Sequence, residues 1–351
     1  MLISFDTRTY IYSRFNKNKS KNFYKRNLFS KFSYFNKSIS GPKKAVSDLI
    51  IAIEDNNLAK TTFDFLSSDI HILNAGFYSP FWSRFQPKQK DKVLIRLDGI
   101  GIDSEVTNLK KVSSRFTNLL DKGSSFVYQS KFSKNCFCNT FKSLPESKVI
   151  YNGAGKRIND SKINHHISII KSKFGNEYFT VAGRFSNRKR IYEVINEFYK
   201  FNLGNLVVLS NVPEKLKKRS KKIIYLGMLN PEIARNVIYN SLALIHFDRY
   251  DWCPNIVVAA LNDGIPVICS NYGGTPEIVG ENGLIIEEFP ENLPHSLEGI
   301  NFAKKSPFPS KIFRDNIAEI NLMKFIKGKN KIFNLDKMAN DYVEFAGHLI
   351  K

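Results

Sequence analysis

A chain of 351 residues, 42% hydrophobic and 24% charged, is long enough for two domains and excludes a disordered, collagenous or coiled-coil protein. No apolar run approaches the roughly 18 residues of a membrane-spanning helix, and Met1 to Arg8 lacks the apolar core of a secretory signal, so we expect a cytoplasmic protein. The 4 cysteines are too irregularly spaced for a disulfide framework or a zinc knuckle, and with the 6 histidines they predict reduced thiols and no metal site.

The net charge of +21 predicts an anionic partner, and residues 8–44 carry about half of the surplus. This segment holds many Lys and Arg, no Asp or Glu, and interleaved aromatic residues. Such a composition suits an anionic membrane surface, single-stranded nucleic acid or a merely soluble arm. We favour the membrane surface, at the inner membrane face, and expect no specific nucleic-acid partner. A second basic run, Lys215 to Lys222, is expected to be a solvated loop or helix end.

After the arm and first strand region of residues 1–40, short apolar runs alternate with stretches of helical period, which predicts an α/β fold with parallel sheets. A turn at Asn152–Gly155 separates two similar halves, 41–160 and 161–330, and a last helix follows in 331–351. The predicted strands are Ile70–Asn74, Val93–Leu97, Phe126–Gln129, Val149–Tyr151, Phe179–Ala182, Leu206–Leu209, Leu242–His246, Pro266–Ser270 and Leu284–Ile286.

Two doubly wound, Rossmann-like halves are expected to face each other across a cleft at the carboxyl ends of their strands, where such sheets bind ligands. This expectation alone does not choose between dehydrogenases, binding proteins, epimerases and group transferases.

Three motifs of the second half indicate an anionic, sugar-bearing ligand. Arg184 and Lys189 follow a predicted strand and can straddle a diphosphate, although basic residues in such turns are often only solvated. Asp251 precedes a short helix that begins near Asn255; it can hold a sugar diol or simply cap that helix.

The third motif is the paired-glycine turn at Gly273 and Gly274. Glycines there allow backbone amides to approach a phosphate closely. Thr275 follows as a candidate helix cap, with proline at the first helical position and Glu277 in the first turn.

Taken in order, GRFSNRK, YLGMLNPE and CPNIVVAALNDGIPVICSNYGGTPEIVGENGLII resemble the C-terminal half of GT-B glycosyltransferases of the retaining family 4 type. A fainter resemblance covers the first half: SGPKKAVSDL with Gly41 resembles the glycine turn and first helix, and IRLDG with Arg96 and Asp98 resembles the strand end that faces the acceptor. Many relatives have His at the position of Asp98. Arg96 is expected either to face the cleft or to form a strand-end salt bridge.

The resemblance implies a hexosyltransferase-like enzyme of polysaccharide biosynthesis that moves a sugar from a nucleotide-diphosphate donor to a glycan or lipid-linked acceptor, with retention and without a cofactor or metal. Residues 41–160 would be the acceptor-side domain and 161–330 the donor domain, and the last helix would cross back to the first. Arg184, Lys189 and Asp251 would be catalytic, and Asn255, Gly273, Gly274, Thr275 and Glu277 would bind the donor.

One position departs from the family pattern. The family has a second Glu eight residues after the first, and here Ala259 stands at that position after Asp251. Three hypotheses remain: a transferase, a sugar-nucleotide epimerase of GT-B-like fold, and a catalytically weakened or non-catalytic binder of sugar nucleotides or nucleic acid.

Overall fold

The structure is a computed structural model that describes residues 1–5, 10, 13–14, 41–64, 66–74, 93–97, 125–141, 144–158, 164–320 and 333–351. The strands are β1 (Leu2–Phe5), β2 (Lys60–Thr62), β3 (Ile70–Asn74), β4 (Val93–Leu97), β5 (Ser125–Tyr128), β6 (Glu146–Val149), β7 (Phe179–Ala182), β8 (Leu206–Leu209), β9 (Ile223–Tyr225), β10 (Ala243–His246), β11 (Val267–Ser270) and β12 (Gly283–Ile286). The helices are α1 (Gly41–Asp55), α2 (Lys131–Cys138), α3 (Asn164–Phe174), α4 (Ile191–Phe201), α5 (Pro231–Tyr239), α6 (Asn255–Asn262), α7 (Thr275–Val279), α8 (Leu297–Lys305), α9 (Ser310–Ala318) and α10 (Leu335–Leu349).

The chain divides into two compact units. Unit 1 comprises Met1–Gly155 and Asn334–Lys351, and unit 2 comprises Lys156–Phe333. In the described residues each unit has one parallel sheet, in the order β2-β1-β3-β4-β5-β6 in unit 1 and β12-β11-β10-β7-β8-β9 in unit 2. The predicted α/β class with two doubly wound sheets is therefore confirmed.

The core of unit 1 lies between its sheet and two helices that are distant in sequence. The buried face of α1, with Leu49 and Ile53, packs with Met338, Tyr342 and Phe345 of α10. Those three residues recur at helical spacing, which is why the sequence predicts this helix. The chain enters α10 beside Gly153 and Ala154, and the Leu335 amide donates to the Ala154 carbonyl at 3.2 Å.

Arg96, on β4, lies in the interior of unit 1. The side chain is completely buried. Its guanidinium donates to the Tyr342 hydroxyl at 3.1 Å and to Asn152 Oδ1 at 2.8 Å. The guanidinium therefore connects the sheet to α10. The assignment of Arg96 to the acceptor side stays a prediction.

Unit 2 follows the predicted strand pattern closely. The strands β7 and β8 have their predicted bounds, and the interior strands are buried along their length because helices cover both faces of a doubly wound parallel sheet. Asn230 caps α5: its side-chain oxygen accepts from the Glu232 amide at 3.0 Å, and Pro231 is the first helical residue. No helix among the described residues is long and apolar enough to cross a bilayer.

Candidate functional site

The candidate site lies at one edge of the unit 2 sheet, where three neighbouring strands end. The strands β11, β10 and β7 are adjacent and parallel, so their carboxyl ends meet at the same edge. The segment after β7 carries Lys189, the segment after β10 carries Asp248 and Asp251, and the turn after β11 carries Gly273 and Gly274. Ligands of doubly wound sheets bind at such an edge.

Lys189 is held at the centre of this edge. Its side chain passes over Gly183, whose φ of +143° belongs to the region that favours glycine. The ammonium lies 2.8 Å from Oδ2 of Asp251 and also binds Asp248. Only 13% of the Lys189 side chain is exposed. A buried ammonium between two carboxylates is a fixed positive charge rather than a solvated one.

The charges of this cluster maintain each other's ionisation. Burial by itself would lower the pKa of Lys189, but the charges of Asp248 and Asp251 raise that pKa above its ordinary value. Burial by itself would raise the pKa of Asp251, but Lys189 and Arg188 hold it well below its ordinary value. The ammonium and the carboxylate are therefore both charged at neutral pH.

A buried histidine completes the cluster. His246 Nε2 lies 3.4 Å from Oδ2 of Asp248 and 3.7 Å from Oδ2 of Asp251. The potential ligand atoms of these three side chains lie within 4.8 Å of one another, which is a spacing that suits a metal ion. The ammonium of Lys189 is, however, already bonded to both carboxylates, so a cation of the chain itself balances their charge.

The paired-glycine turn packs directly on the backbone of Asp251. Gly273 has a φ of +103°, and a Cβ there would lie 2.9 Å from the Asp251 amide nitrogen. The Gly274 amide donates to the Asp251 carbonyl at 2.6 Å. A side chain at position 273 would collide with the backbone of Asp251, so glycine is needed there for this close approach.

The helix after this turn does not begin as the sequence predicts. Gly274 is the N-cap residue of α7, and Thr275 is its first helical residue. The Thr275 side chain is buried and makes no capping hydrogen bond, so its prediction as a helix cap is wrong. Asp251 is not a cap either, because Pro254 is the N-cap residue of α6 and Asp251 Oδ1 accepts from the Trp252 amide at 2.7 Å.

Arg190, the residue after Lys189, holds the loop after β7 in place through buried contacts. It has the left-handed φ of 49° and is completely buried. Its guanidinium forms a two-point ion pair with Glu288, at 2.6 and 2.7 Å, and lies among the rings of Phe247, Phe289 and Phe308. These contacts hold the backbone of Arg190 in place, and they therefore also limit the directions in which the side chain of the neighbouring Lys189 can point.

Asn271 joins the paired-glycine turn to the same anchor. Its side-chain oxygen accepts from the amides of Glu288 at 3.0 Å and Phe289 at 2.9 Å. Its side-chain nitrogen donates to Glu287 Oε2 at 2.8 Å. The turn after β11 and the loop after β7 are therefore both held by the segment that follows β12.

The other predicted site residues are more scattered. Arg184 is exposed and makes no hydrogen bond or ion pair with a described residue. Asn255 begins α6 and Glu277 lies on α7, both half-buried. Gly41 begins α1 of unit 1. Asp98 lies outside the described residues.

Sequence reasoning missed the side chains that surround Lys189. His246 and Asp248 were read only as the end of a strand and its loop, although a carboxylate three residues before Asp251 is a usable signal. Arg190 and Glu288 lie 98 positions apart, and nothing in the local sequence of either residue indicates their pairing.

Comparison with known sequences finds a family model that matches most of unit 2. Residues 176–299 match the family model described as Glycosyl transferases group 1. A protein of Methanocaldococcus jannaschii named bifunctional thiamine biosynthesis protein ThiDN is 24% identical over 275 residues, which is 71% of this chain. The chain covers 63% of the length of that relative.

Three solved structures resemble the whole chain. Anabaena HepE in complex with UDP and glucose has a TM-score of 0.59 at 13% identity, covering 99% of both chains. A glycosyltransferase from Rickettsia africae has a TM-score of 0.57 at 16% identity, covering 100% of this chain and 98% of its own. Sucrose-phosphate synthase from Thermosynechococcus elongatus has a TM-score of 0.58 at 14% identity, with 89% and 80% covered. At these identities the likeness shows the fold, so the chain has the GT-B fold, and its residues 176–299 are similar to the family described as Glycosyl transferases group 1.

Proposed function

We propose that the chain is a glycosyltransferase that takes its sugar from a nucleoside-diphosphate sugar bound at the candidate site of unit 2. The observation that carries the proposal is the convergence of a buried ammonium, Lys189, and a paired-glycine turn on one residue, Asp251. The matched family supports the proposal, and so do the structures of HepE, a protein of the same fold, in complex with UDP and with UDP-glucose.

The chemistry of Lys189 suits a leaving diphosphate. An ammonium has three donors, and two of them bond Asp248 and Asp251. The third remains for a phosphate oxygen. When an acceptor hydroxyl bonds to the anomeric carbon, the bond from that carbon to the diphosphate oxygen breaks and negative charge accumulates on that oxygen. The proton of the acceptor hydroxyl passes to the departing diphosphate. A fixed ammonium beside it stabilises this charge without reorganisation.

Other groups of the unit have complementary roles in the proposal. Arg184, exposed after β7, would bind the outer phosphate, and the backbone amides that follow Gly274 would approach the sugar or phosphate. Asp251, Asn255 and Glu277 would accept from or donate to the sugar hydroxyls. Because these cations neutralise the diphosphate, transfer is proposed to need no resident metal or cofactor.

The finer assignments come from the family resemblance. Transfer would proceed with retention of the anomeric configuration, to a glycan or lipid-linked acceptor in polysaccharide biosynthesis. Unit 1 would supply the acceptor side, including Gly41 and Asp98. Residues 8–44 would keep the enzyme at the inner face of an anionic membrane.

A non-catalytic binder is the second candidate function, because Ala259 stands where the family pattern has a carboxylate. The two functions differ in turnover. The purified chain is incubated with a panel of nucleotide sugars and with membrane lipid extracts or oligosaccharides as acceptors, and nucleotide release and labelled product are followed. Release and transfer from one donor support the proposal, and they should persist in EDTA. Tight donor binding without turnover across the panel would refute it in favour of the binder.

A further inference from the structure

A strongly basic surface of unit 2 lies outside the candidate site. The segment between β8 and β9, from Lys215 to Lys222, has Lys or Arg at six of its eight positions, four of them exposed. The one ion pair that it makes within the described part of the chain joins Lys217 to the neighbouring Glu214, at 2.6 Å. The other cations have no carboxylate within ion-pair distance among the described residues, so most of this charge is uncompensated.

Tyrosines from two other elements lie beneath these cations. Tyr192 and Tyr199 are seven residues apart on α4 and so share one face of the helix. The Lys218 ammonium lies 5.6 Å from the ring centre of Tyr192 and 5.9 Å from that of Tyr199. Tyr199 is 48% exposed, which is high for an aromatic side chain.

Tyr225 fixes the loop on this surface. Its hydroxyl accepts from the Lys218 amide at 2.8 Å and donates to the Lys218 carbonyl at 3.3 Å. The Lys217 ammonium lies 5.7 Å from the centre of its ring. We name the segment Lys215–Lys222, together with Tyr192, Tyr199 and Tyr225, the lysine–tyrosine face.

We propose that the lysine–tyrosine face binds the surface of a bilayer that contains anionic phospholipids. Lysines beside a membrane are attracted by the negative surface potential of such lipids, and tyrosine rings settle at headgroup depth, with the hydroxyl toward water. The face presents both residue types together. It is a different part of the sequence from residues 8–44, and its binding does not depend on sugar transfer.

The arrangement of the rings favours lipid over single-stranded nucleic acid. Nucleic-acid binding of this kind relies on bases that stack on open aromatic faces. Here the ammonium groups of Lys217 and Lys218 lie over the three tyrosine rings, so bases would have to displace them. A lipid headgroup needs no such displacement, because its phosphate bonds the ammonium groups themselves.

The face is also close in sequence to the candidate site. Lys189 and Arg190 directly precede α4, and Tyr192 is the second residue of that helix. A bilayer bound at the face would therefore lie beside the first turn of the helix that follows the donor loop. If the acceptor is lipid-linked, this contact keeps unit 2 at the surface that carries the acceptor.

Vesicle co-sedimentation of the full-length chain tests the proposal. The vesicles contain phosphatidylcholine alone or mixed with phosphatidylglycerol, and the test variant is K217Q/K218Q/K221Q/K222Q. The matched control removes the same charge from exposed lysines elsewhere in unit 2, as K171Q/K173Q/K305Q/K311Q. We expect the wild type to bind only the anionic vesicles, and the test variant to bind at least tenfold more weakly, because each lysine near the surface contributes several-fold. The control variant should keep its binding within about twofold of the wild type.

A second variant removes the rings while keeping the charge. We expect Y192S/Y199S to bind the anionic vesicles several-fold more weakly at raised salt, where screening has removed most of the lysine contribution. Urea unfolding midpoints close to that of the wild type establish that these variants are folded. Three results would overturn the proposal: no binding by the wild type, equal losses in the test and control variants, or a test variant that loses affinity for a single-stranded RNA oligonucleotide but not for vesicles.

Discussion

The ammonium of Lys189 lies 2.8 Å from Oδ2 of Asp251, and it binds Asp248 at the same time. These side chains come from two loops that are about 60 residues apart in sequence. The loops follow β7 and β10, which are neighbouring strands of one sheet. These contacts matter for both stability and the proposed chemistry. The Lys189 ammonium balances the charge of two buried carboxylates, and it would also bind a phosphate oxygen of the donor.

The first prediction separates these two roles of Lys189. In Lys189→Gln two carboxylates remain buried without their cation, and we expect the free energy of unfolding of unit 2 to fall by about 3 kcal/mol. Sugar transfer should fall by roughly 100-fold or more, since a charge-stabilising donor is lost. The double variant Lys189→Gln/Asp248→Asn also removes one of the two buried carboxylate charges. Its free energy of unfolding, measured with urea, should therefore be higher than that of Lys189→Gln. If transfer recovers as well, Lys189 serves only the fold.

The second prediction concerns the close approach of Gly273 to Asp251. In Gly273→Ala the new Cβ would lie 2.9 Å from a backbone nitrogen, in a conformation that side chains rarely adopt. We expect affinity for nucleoside diphosphates, measured by isothermal titration calorimetry, to fall at least about tenfold because Asp251 and the turn amides must shift.

Gly280 provides the matched control. It has a φ of +47° and open space around the position of a Cβ. Gly280→Ala should therefore lower stability by about 1 kcal/mol through backbone strain alone, with unchanged nucleotide affinity. Equal affinity losses in the two variants would show that the contact with Asp251 has no particular role.

The third prediction addresses the buried ion pair between Arg190 and Glu288. In Arg190→Met the Glu288 carboxylate, whose side chain is only 3% exposed, loses its cation. We expect unit 2 to lose about 3 to 5 kcal/mol of stability in urea unfolding. In Arg190→Met/Glu288→Gln much of this loss should be regained, because no uncompensated charge stays buried. A double variant no more stable than Arg190→Met would mean that the aromatic packing around the guanidinium, rather than the ion pair, is what matters.

The sequence predicts the fold best where strands are buried. β3, β4, β7 and β8 have their predicted bounds because a strand covered on both faces is mostly apolar. The strands that sequence reasoning missed carry a weaker pattern. β2 is polar and lies at the sheet edge, and β9 is a short edge strand that directly follows the lysine-rich segment. β1 falls within the first strand region of residues 1–40, which the sequence predicts without bounds.

The residues of the candidate site also fall into two groups, those that the sequence predicts and those that it does not. Lys189, Asp251 and the paired glycines are recognisable because each lies in a short local motif. The partners that determine how Lys189 is held cannot be read locally. Asp248 and Asp251 reach Lys189 only because parallel pairing places β10 beside β7, and that register is a property of the folded sheet.

The fourth prediction is a pH dependence that originates in unit 1. His71, on β3, is buried, and burial lowers its pKa to about 4. In the unfolded chain its pKa is about 6.5. The unfolded state therefore gains a proton first as the pH falls, and the stability contributed above pH 6.5 is lost between about pH 6.5 and 4.

This loss amounts to about 3 kcal/mol for the whole interval. We expect unit 1 of the wild type to become that much less stable, relative to His71→Gln, between pH 7 and pH 4. Urea unfolding of both proteins at a series of pH values measures the difference between their free energies of unfolding. Groups that titrate in both proteins contribute equally and cancel in this difference. Parallel curves for the two proteins would show that His71 is protonated equally easily in the folded and unfolded states.

The last prediction tests the departure from the family pattern at Ala259. This residue is half-buried on α6, eight positions after Asp251, and a longer side chain can leave such a position toward solvent. A carboxylate that accepts from a ribose diol contributes about 1.5 to 3 kcal/mol. Ala259→Glu should therefore tighten nucleotide-sugar binding by about tenfold or more in calorimetry, with Ala259→Gln giving a smaller gain because the amide carries no charge. Weaker binding in both variants would mean that the surroundings of this helix have adapted to the small side chain, so that the donor is held by a different set of groups from those of the family pattern.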